Sequence, residues 1–167
     1  VEHDLRINSG VTLTVEPGAI VKFVSGASLV VGAGGVLNAP STADQPIVFT
    51  LLADDGAGGD TNLDGDRSRP IPGQWSFSVE GSGQANFNEH TSLRYHHVAH
   101  SGVLAASETW AGNVLHEVTA EVTVPTGVTL TIQPGAVVKF AAGRGLTVQS
   151  GATLSAPGTV AEPIVFT

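Results

Sequence analysis

Residues 10–50 read GVTLTVEPGAIVKFVSGASLVVGAGGVLNAPSTADQPIVFT, and residues 127–167 read GVTLTIQPGAVVKFAAGRGLTVQSGATLSAPGTVAEPIVFT. The two stretches align without a gap at an offset of 117 residues, with 24 identities in 41 positions. The identities fall on turn residues (Gly10/Gly127, Pro17-Gly18/Pro134-Gly135, Pro40/Pro157, Pro46/Pro163) and on the apolar positions between them. That distribution marks a structural repeat, whose unit recurs because each copy meets the same turn and packing constraints.

Inside the first copy, short apolar-alternating runs predict strands at 11–15 (VTLTV), 19–23 (AIVKF), 28–31 (SLVV), 36–39 (VLNA) and 46–50 (PIVFT). Leu13, Val21, Leu29 and Leu37 stand eight apart. Three faces of that length would close a coil of about 24 residues, giving about seven coils of an all-β, right-handed parallel β-helix, or β-solenoid. Alternation points Thr12, Thr14 and Lys22 to water and Leu13 and Val21 to the core, and Val48 is read as a core position too. Leu130, Val138, Leu146 and Leu154 of the second copy fall in the same inward rows. A β-sandwich shares the strand spacing, but two equivalent segments around a different middle region suit a solenoid better than one closed core. The expected organisation is one solenoid domain over 1–167, carrying the repeat at 10–50 and 127–167 and an acidic, Gly-rich loop at 51–73.

The run LTVEPGAIVKF at 13–23, GLTVQSGATLSAPGT at 145–159 and PIVFT at 46–50 and 163–167 resembles secreted bacterial right-handed parallel β-helix repeat proteins of the surface or adhesin type. The likeness continues through LLADDGAGGDTNLDGDRSRPIPGQW at 51–75, an acidic loop leading to a tryptophan, and LRYHHVAHSG at 93–102. It implies an extracellular or cell-surface protein.

Composition narrows the function. Charged residues make up 13% and aromatics 5%, so Val, Leu, Ile and Ala must fill the interior. A net charge of −8 without a Lys/Arg cluster excludes phosphate-driven nucleic-acid binding and favours metal cations. No cysteine is available for a disulfide, a thiolate metal site or a nucleophile. Cysteine and methionine are both absent, which suits an oxidising exterior. No apolar run reaches the roughly 20 residues of a membrane-spanning helix, and no leader opens the chain. A start at Val1 and an end inside a repeat predict a portion of a longer polypeptide, with any export signal elsewhere.

The densest polar cluster is Asp54 to Asp66, with 5 of the 15 acids. Asp60, Asn62 and Asp64 alternate ahead of Gly65 and Asp66, as in the first half of an EF-hand loop. Position twelve would be Ile71 rather than glutamate, so a true EF-hand is excluded. The expectation is one calcium site from Asp60, Asn62, Asp64 and Asp66, with Asp54 and Asp55 as possible extra ligands; a solvated acidic turn is the alternative. His90, His96, His97 and His100 cluster in sequence, but His96 and His97 must point to opposite faces of a strand, which argues against a shared metal. Catalysis would need carboxylates facing across a groove. Only Asp64, Asp66, Arg67 and Arg69 offer candidates, paired acids on the strands are not seen, and no enzyme activity is expected. An ice-binding ladder is not expected either, since only Thr12/Thr14 and Thr129 start one. The function expected is that of a structural module in a surface protein, fibre or adhesin, stabilised by calcium and stacked head to tail on copies of itself. The alternative is a carbohydrate-binding or polysaccharide-cleaving module.

Overall fold

The computed structural model describes residues 1–65 and 67–167. Seventeen β-strands and no helix are found among the described residues. The chain packs as two compact units, Val1–His96 and His97–Thr167.

In the first unit, β1 (Leu5–Ile7), β2 (Thr12–Thr14) and β3 (Ile20–Phe23) are followed by β4 (Ser28–Val31), β5 (Val36–Asn38) and β6 (Ile47–Leu51), then β7 (Trp75–Val79), β8 (Gln84–Asn86) and β9 (Thr91–Leu93). The strands fall in rotation into three parallel sheets, β1-β4-β7, β2-β5-β8 and β3-β6-β9. The first pairs of two of these sheets lie 24 residues apart, Leu5↔Leu29 and Leu13↔Leu37, the interval that the repeat predicts, and Ile20↔Val48 in the third lies 28 apart.

The corners explain the rotation. In four successive turns the residue after a glycine donates its N–H back three positions: Val11 to Asn8, Ala19 to Glu16, Ala27 to Val24 and Gly35 to Gly32. The glycines, Gly10, Gly18, Gly26 and Gly34, all have φ between 75° and 88°. A left-handed third residue is what a type II turn demands, and Pro17 presets the second residue of the Gly18 turn. Each corner reverses nothing; it bends the chain from one sheet to the next.

Inward rows follow the predicted alternation. Leu29 and Leu37 are fully buried in the middle strands, while Leu13 and Val21 in the first strands pack on the same core half-buried, because a strand with one neighbour is covered on one side only. Phe23 and Trp75 stack in parallel with centroids 4.4 Å apart, and the Trp75 indole N–H donates to the Arg94 carbonyl at 2.7 Å. That bond gives a buried tryptophan its required acceptor.

One expectation is corrected beside β6. All five of its residues are buried, so alternation fails there. Ile47, Phe49 and Leu51 join the core cluster, and Val48, expected in the core, is 8% exposed and in register with Ile20, on a side that is covered as well. Lys22, expected in water, shares that covered side in register with Thr50 and is 9% exposed. The outward row of β2 has no such cover, and Thr12 and Thr14 are exposed. Thr14→Lys should therefore change stability by less than about 0.5 kcal/mol, and Val48→Lys should lower it by about 1–2 kcal/mol, measured by denaturant titration. Equal tolerance of both would refute the face assignment.

The second unit contains β10 (His96–Val103, from His97 on), β11 (Glu108–Trp110), β12 (Leu115–Val124), β13 (Thr129–Ile132), β14 (Val137–Phe140), β15 (Leu146–Val148), β16 (Thr153–Ser155) and β17 (Val165–Phe166). Pairing is again parallel: β11-β13-β16 form one sheet, and β12 pairs with β10, β14 and β15. The ten-residue β12 serves two strands of the next layer, β14 through Leu115–Val118 and β15 through Val122–Val124. Corner glycines recur at Gly127, Gly135, Gly143 and Gly151, with φ between 69° and 80°. Val118, Val122, Leu130, Ile132 and Val138 are fully buried around Trp110.

Candidate functional site

The acidic loop runs from Leu52 to Gln74, between β6 and β7. Its root is fixed by Asp54, which is buried and accepts the Thr50 hydroxyl at 2.6 Å, with an Arg94 guanidinium nitrogen 3.8 Å away. Beyond it, Gly58 and Gly59 both adopt positive φ, and the Gly59 carbonyl accepts a 2.7 Å hydrogen bond from the Lys22 ammonium. The loop thus returns over the outward face of β3.

Farther on, the Asp60 carboxylate accepts the backbone N–H of Asp64 at 3.2 Å and of Gly65 at 2.8 Å. Asn62 donates its amide to Asp64 Oδ2 at 2.8 Å and to Ser68 Oγ at 3.0 Å, and the Ser68 hydroxyl donates to the same Asp64 oxygen at 2.5 Å. Asp55, Asp60 and Asp64 each bring one carboxylate oxygen within 4.8 Å of the others. Asn62 Oδ1 and Asp64 Oδ1 are buried without a hydrogen-bond partner. A hard cation with six to eight oxygen ligands would use such atoms.

Of the expected ligands, the fold gathers Asp60, Asp64 and Asp55. It turns the Asn62 amide nitrogen toward Asp64 and commits Asp54 to Thr50. Asp66 lies outside the described residues. Arg67 and Arg69, weighed for catalysis, are exposed.

The histidines divide as strand geometry requires. His96 is buried with its ring 5.6 Å from Trp75, and His90 lies 3.6 Å from Glu89. In the second unit, His97 Nε2 lies 2.9 Å from Glu117 Oε2, while His100 joins a cluster with Trp110 and His116. His116 Nε2 sits 3.0 Å from the Ala111 carbonyl, which can only accept, so that nitrogen carries a proton. In the neutral ring Nδ1 is then an acceptor, and His100 Nε2, 2.9 Å away, is its donor. One run of hydrogen bonds thereby sets both tautomers.

Burial is the largest influence holding His100 down to about 4, aided by the charges of His116 and His97. Burial also lowers His116, against the raising effect of its bond to Ala111. Sequence reasoning passed over His116, although it stands in register with Val98, two residues from His100.

Strand-borne acids, not seen in the sequence, are present. Glu108 lies on β11, and Glu117 and Glu121 on β12. Each is engaged: Glu108 accepts the Trp110 indole N–H at 3.0 Å, Glu117 meets His97, and Glu121 accepts the Thr147 hydroxyl at 2.6 Å. No helix among the described residues is long and apolar enough to cross a membrane. No family model, no curated protein and no solved structure matches the chain.

Proposed function

We propose that the chain is a right-handed parallel β-helix of about seven coils, on the repeat arithmetic given above. In this reading it is a non-enzymatic structural module of an extracellular surface protein, fibre or adhesin, stacking head to tail on copies of itself. One observation supports stacking above the rest. Leu154, Val148 and Phe166 are 38%, 39% and 48% exposed, whereas their register partners Leu130, Val124 and Val138 are fully buried. The equivalent positions of the first copy, Leu37, Val31 and Phe49, are buried beneath β7, β8 and β9. The last strands thus carry an inward apolar row that another strand can cover, whether from a continuing chain or from a second copy.

Sedimentation across a concentration series tests this. Heterologous contacts that do not close give growing oligomers, and Leu154→Asp with Phe166→Asp should abolish them while leaving the folded monomer. A monomer at every concentration up to millimolar would refute stacking.

Calcium is assigned to Asp55, Asp60 and Asp64, with the buried Asn62 Oδ1 and Asp64 Oδ1 as the atoms that most need a cation. Free calcium at roughly ten times the dissociation constant should stabilise the fold by about 1.4 kcal/mol, read as a midpoint shift that Asp60→Asn and Asp64→Asn remove. Isothermal titration without heat at millimolar calcium would refute the assignment.

The carbohydrate-binding alternative has its own support. Thr14, Asn38 and Asn86 stand in register, the Asn86 amide donates to Asn38 Oδ1 at 2.8 Å, and the row borders Phe87 in a groove of about 360 Å³. Binding of a neutral oligosaccharide without release of reducing ends would favour it.

A further inference from the structure

Inside the second unit, two histidines meet in a contact that is one positive charge short. His116 stands in register with Val98, so it and His100, two residues on, project from neighbouring strands to the same inward face. His116 is 3% exposed and the His100 side chain 11%. Each ring has an acceptor on its far side. His116 Nε2 gives its proton to the Ala111 carbonyl at 3.0 Å, and His100 Nδ1 lies 3.7 Å from Glu108 Oε1, a carboxylate oxygen that also takes the Trp110 indole N–H. Between the rings, His100 Nε2 and His116 Nδ1 face each other at 2.9 Å. The neutral pair has one proton for that contact, and it sits on His100 Nε2, which leaves the Nδ1 lone pair of His100 turned on a carboxylate.

A second proton on His100 would cure the mismatch, but burial holds this ring down to about 4, so at neutral pH the place is open to another cation. The flanking groups are those that metal-bound histidines use, a carboxylate behind one ring and a backbone carbonyl behind the other. With the His100 proton moved from Nε2 to Nδ1, it points to Glu108, and two lone pairs are left facing each other. Metal–nitrogen bonds of about 2 Å would set the nitrogens about 4 Å apart around an ion in line, so His100 must shift by about 1 Å away from His116. The same shift brings Nδ1 from 3.7 Å into hydrogen-bond range of Glu108.

The donor set selects the ion. Only Asp55, Asp60 and Asp64 form a three-ligand group among the described residues, so no third histidine or carboxylate joins this pair. The chain has no cysteine or methionine to lend a sulfur. Zinc calls for four ligands and copper(II) for a tetragonal set, whereas copper(I) is satisfied by two nitrogens in line. Both imidazoles also lie against the Trp110 indole, with ring centroids 4.0 and 5.1 Å from it, and an aromatic face favours a cation beside it.

We propose that His100 Nε2 and His116 Nδ1 hold one copper(I) ion between them, with Glu108 offsetting its charge and, together with the Ala111 carbonyl, fixing the tautomers.

Silver(I), the redox-inert analogue of copper(I), is the probe, added to the full chain and followed by long-range nitrogen–proton NMR of the imidazoles. Binding should shift His100 Nε2 and His116 Nδ1 and transfer the His100 proton to Nδ1. His100→Gln keeps a donor for His116, and in it the silver concentration that shifts His116 Nδ1 should rise by about a hundredfold. His97→Gln leaves both ligands in place and should bind as the parent does. Zinc at the same concentration should leave the pair unshifted. The tautomer transfer in the parent carries the test if His100→Gln fails to fold. Shifts confined to other histidines, a His100 proton that stays on Nε2 in the presence of silver, equal binding by His100→Gln, or zinc bound more tightly than silver would each overturn the proposal.

Discussion

Phe49→Ala is expected to lower the free energy of unfolding by about 3–5 kcal/mol, the range for removing a buried phenylalanine and leaving part of its volume empty. Phe49 is 1% exposed, pairs in register with Val21 on one side and Leu93 on the other, and has the Phe87 ring 5.9 Å away. A middle strand cannot close the gap by shifting, because both neighbours hold its backbone. Denaturant titration with an unchanged slope, together with faster amide exchange in β3, β6 and β9, is the expected result. A loss below about 1 kcal/mol would mean that the site collapses freely, contrary to a close-packed interior.

Acid should destabilise the second unit through its two buried histidines. Both are held neutral in the folded state, His100 down to about 4 and His116 below its ordinary value, whereas in the unfolded chain each protonates near 6.5. Their contribution is complete above about pH 6.5 and shrinks as the pH falls toward 4, where the folded His100 also charges. With the His100 side chain 11% exposed, the loss is on the order of 2–3 kcal/mol. The groups around it are His97, Glu108, Glu117 and His116, of which Glu108 lies 3.7 Å from His100 Nδ1. His100→Gln, whose amide can still donate to His116, should flatten the decline between pH 6.5 and 4.5. Identical pH profiles for parent and variant would remove these histidines as its cause.

The all-β fold with parallel strands was legible because its determinants are local. Turn glycines at fixed intervals, Pro17 ahead of Gly18 and the alternation around Leu13 and Leu37 act within a few residues, so the observed strands of the first copy nearly coincide with the expected ones. Lys22 was misread for the opposite reason. What covers it is a loop whose Gly59 lies 37 residues later, and alternation cannot tell an outward position in water from one roofed by another segment. The acidic loop was found by its composition, but composition could not foresee that Asp54 would face Thr50 or that Asn62 would present its nitrogen to Asp64. Glu108, Glu117, Glu121 and His116 looked unremarkable because only pairing across layers gives each a partner. Register also aligns Thr131 with Thr109 and Ser155, and Thr129 with Thr153, a row of hydroxyls longer than the sequence suggested.

The corner glycines have a consequence for how such a chain can change length. Strand pairing resumes after the acidic loop as though nothing had intervened: Leu29 meets Phe77 and Leu37 meets Ala85, each 48 residues on. An insertion placed at a corner leaves the sheets unaware of it, because pairing depends on the strands flanking the corner and not on the path between them. An insertion of one residue within a strand would instead swap every inward side chain beyond it for an outward one. Peptide tags or foreign epitopes should therefore be accepted at the Gly81 and Gly143 corners, which carry no inserted loop, and rejected one strand away.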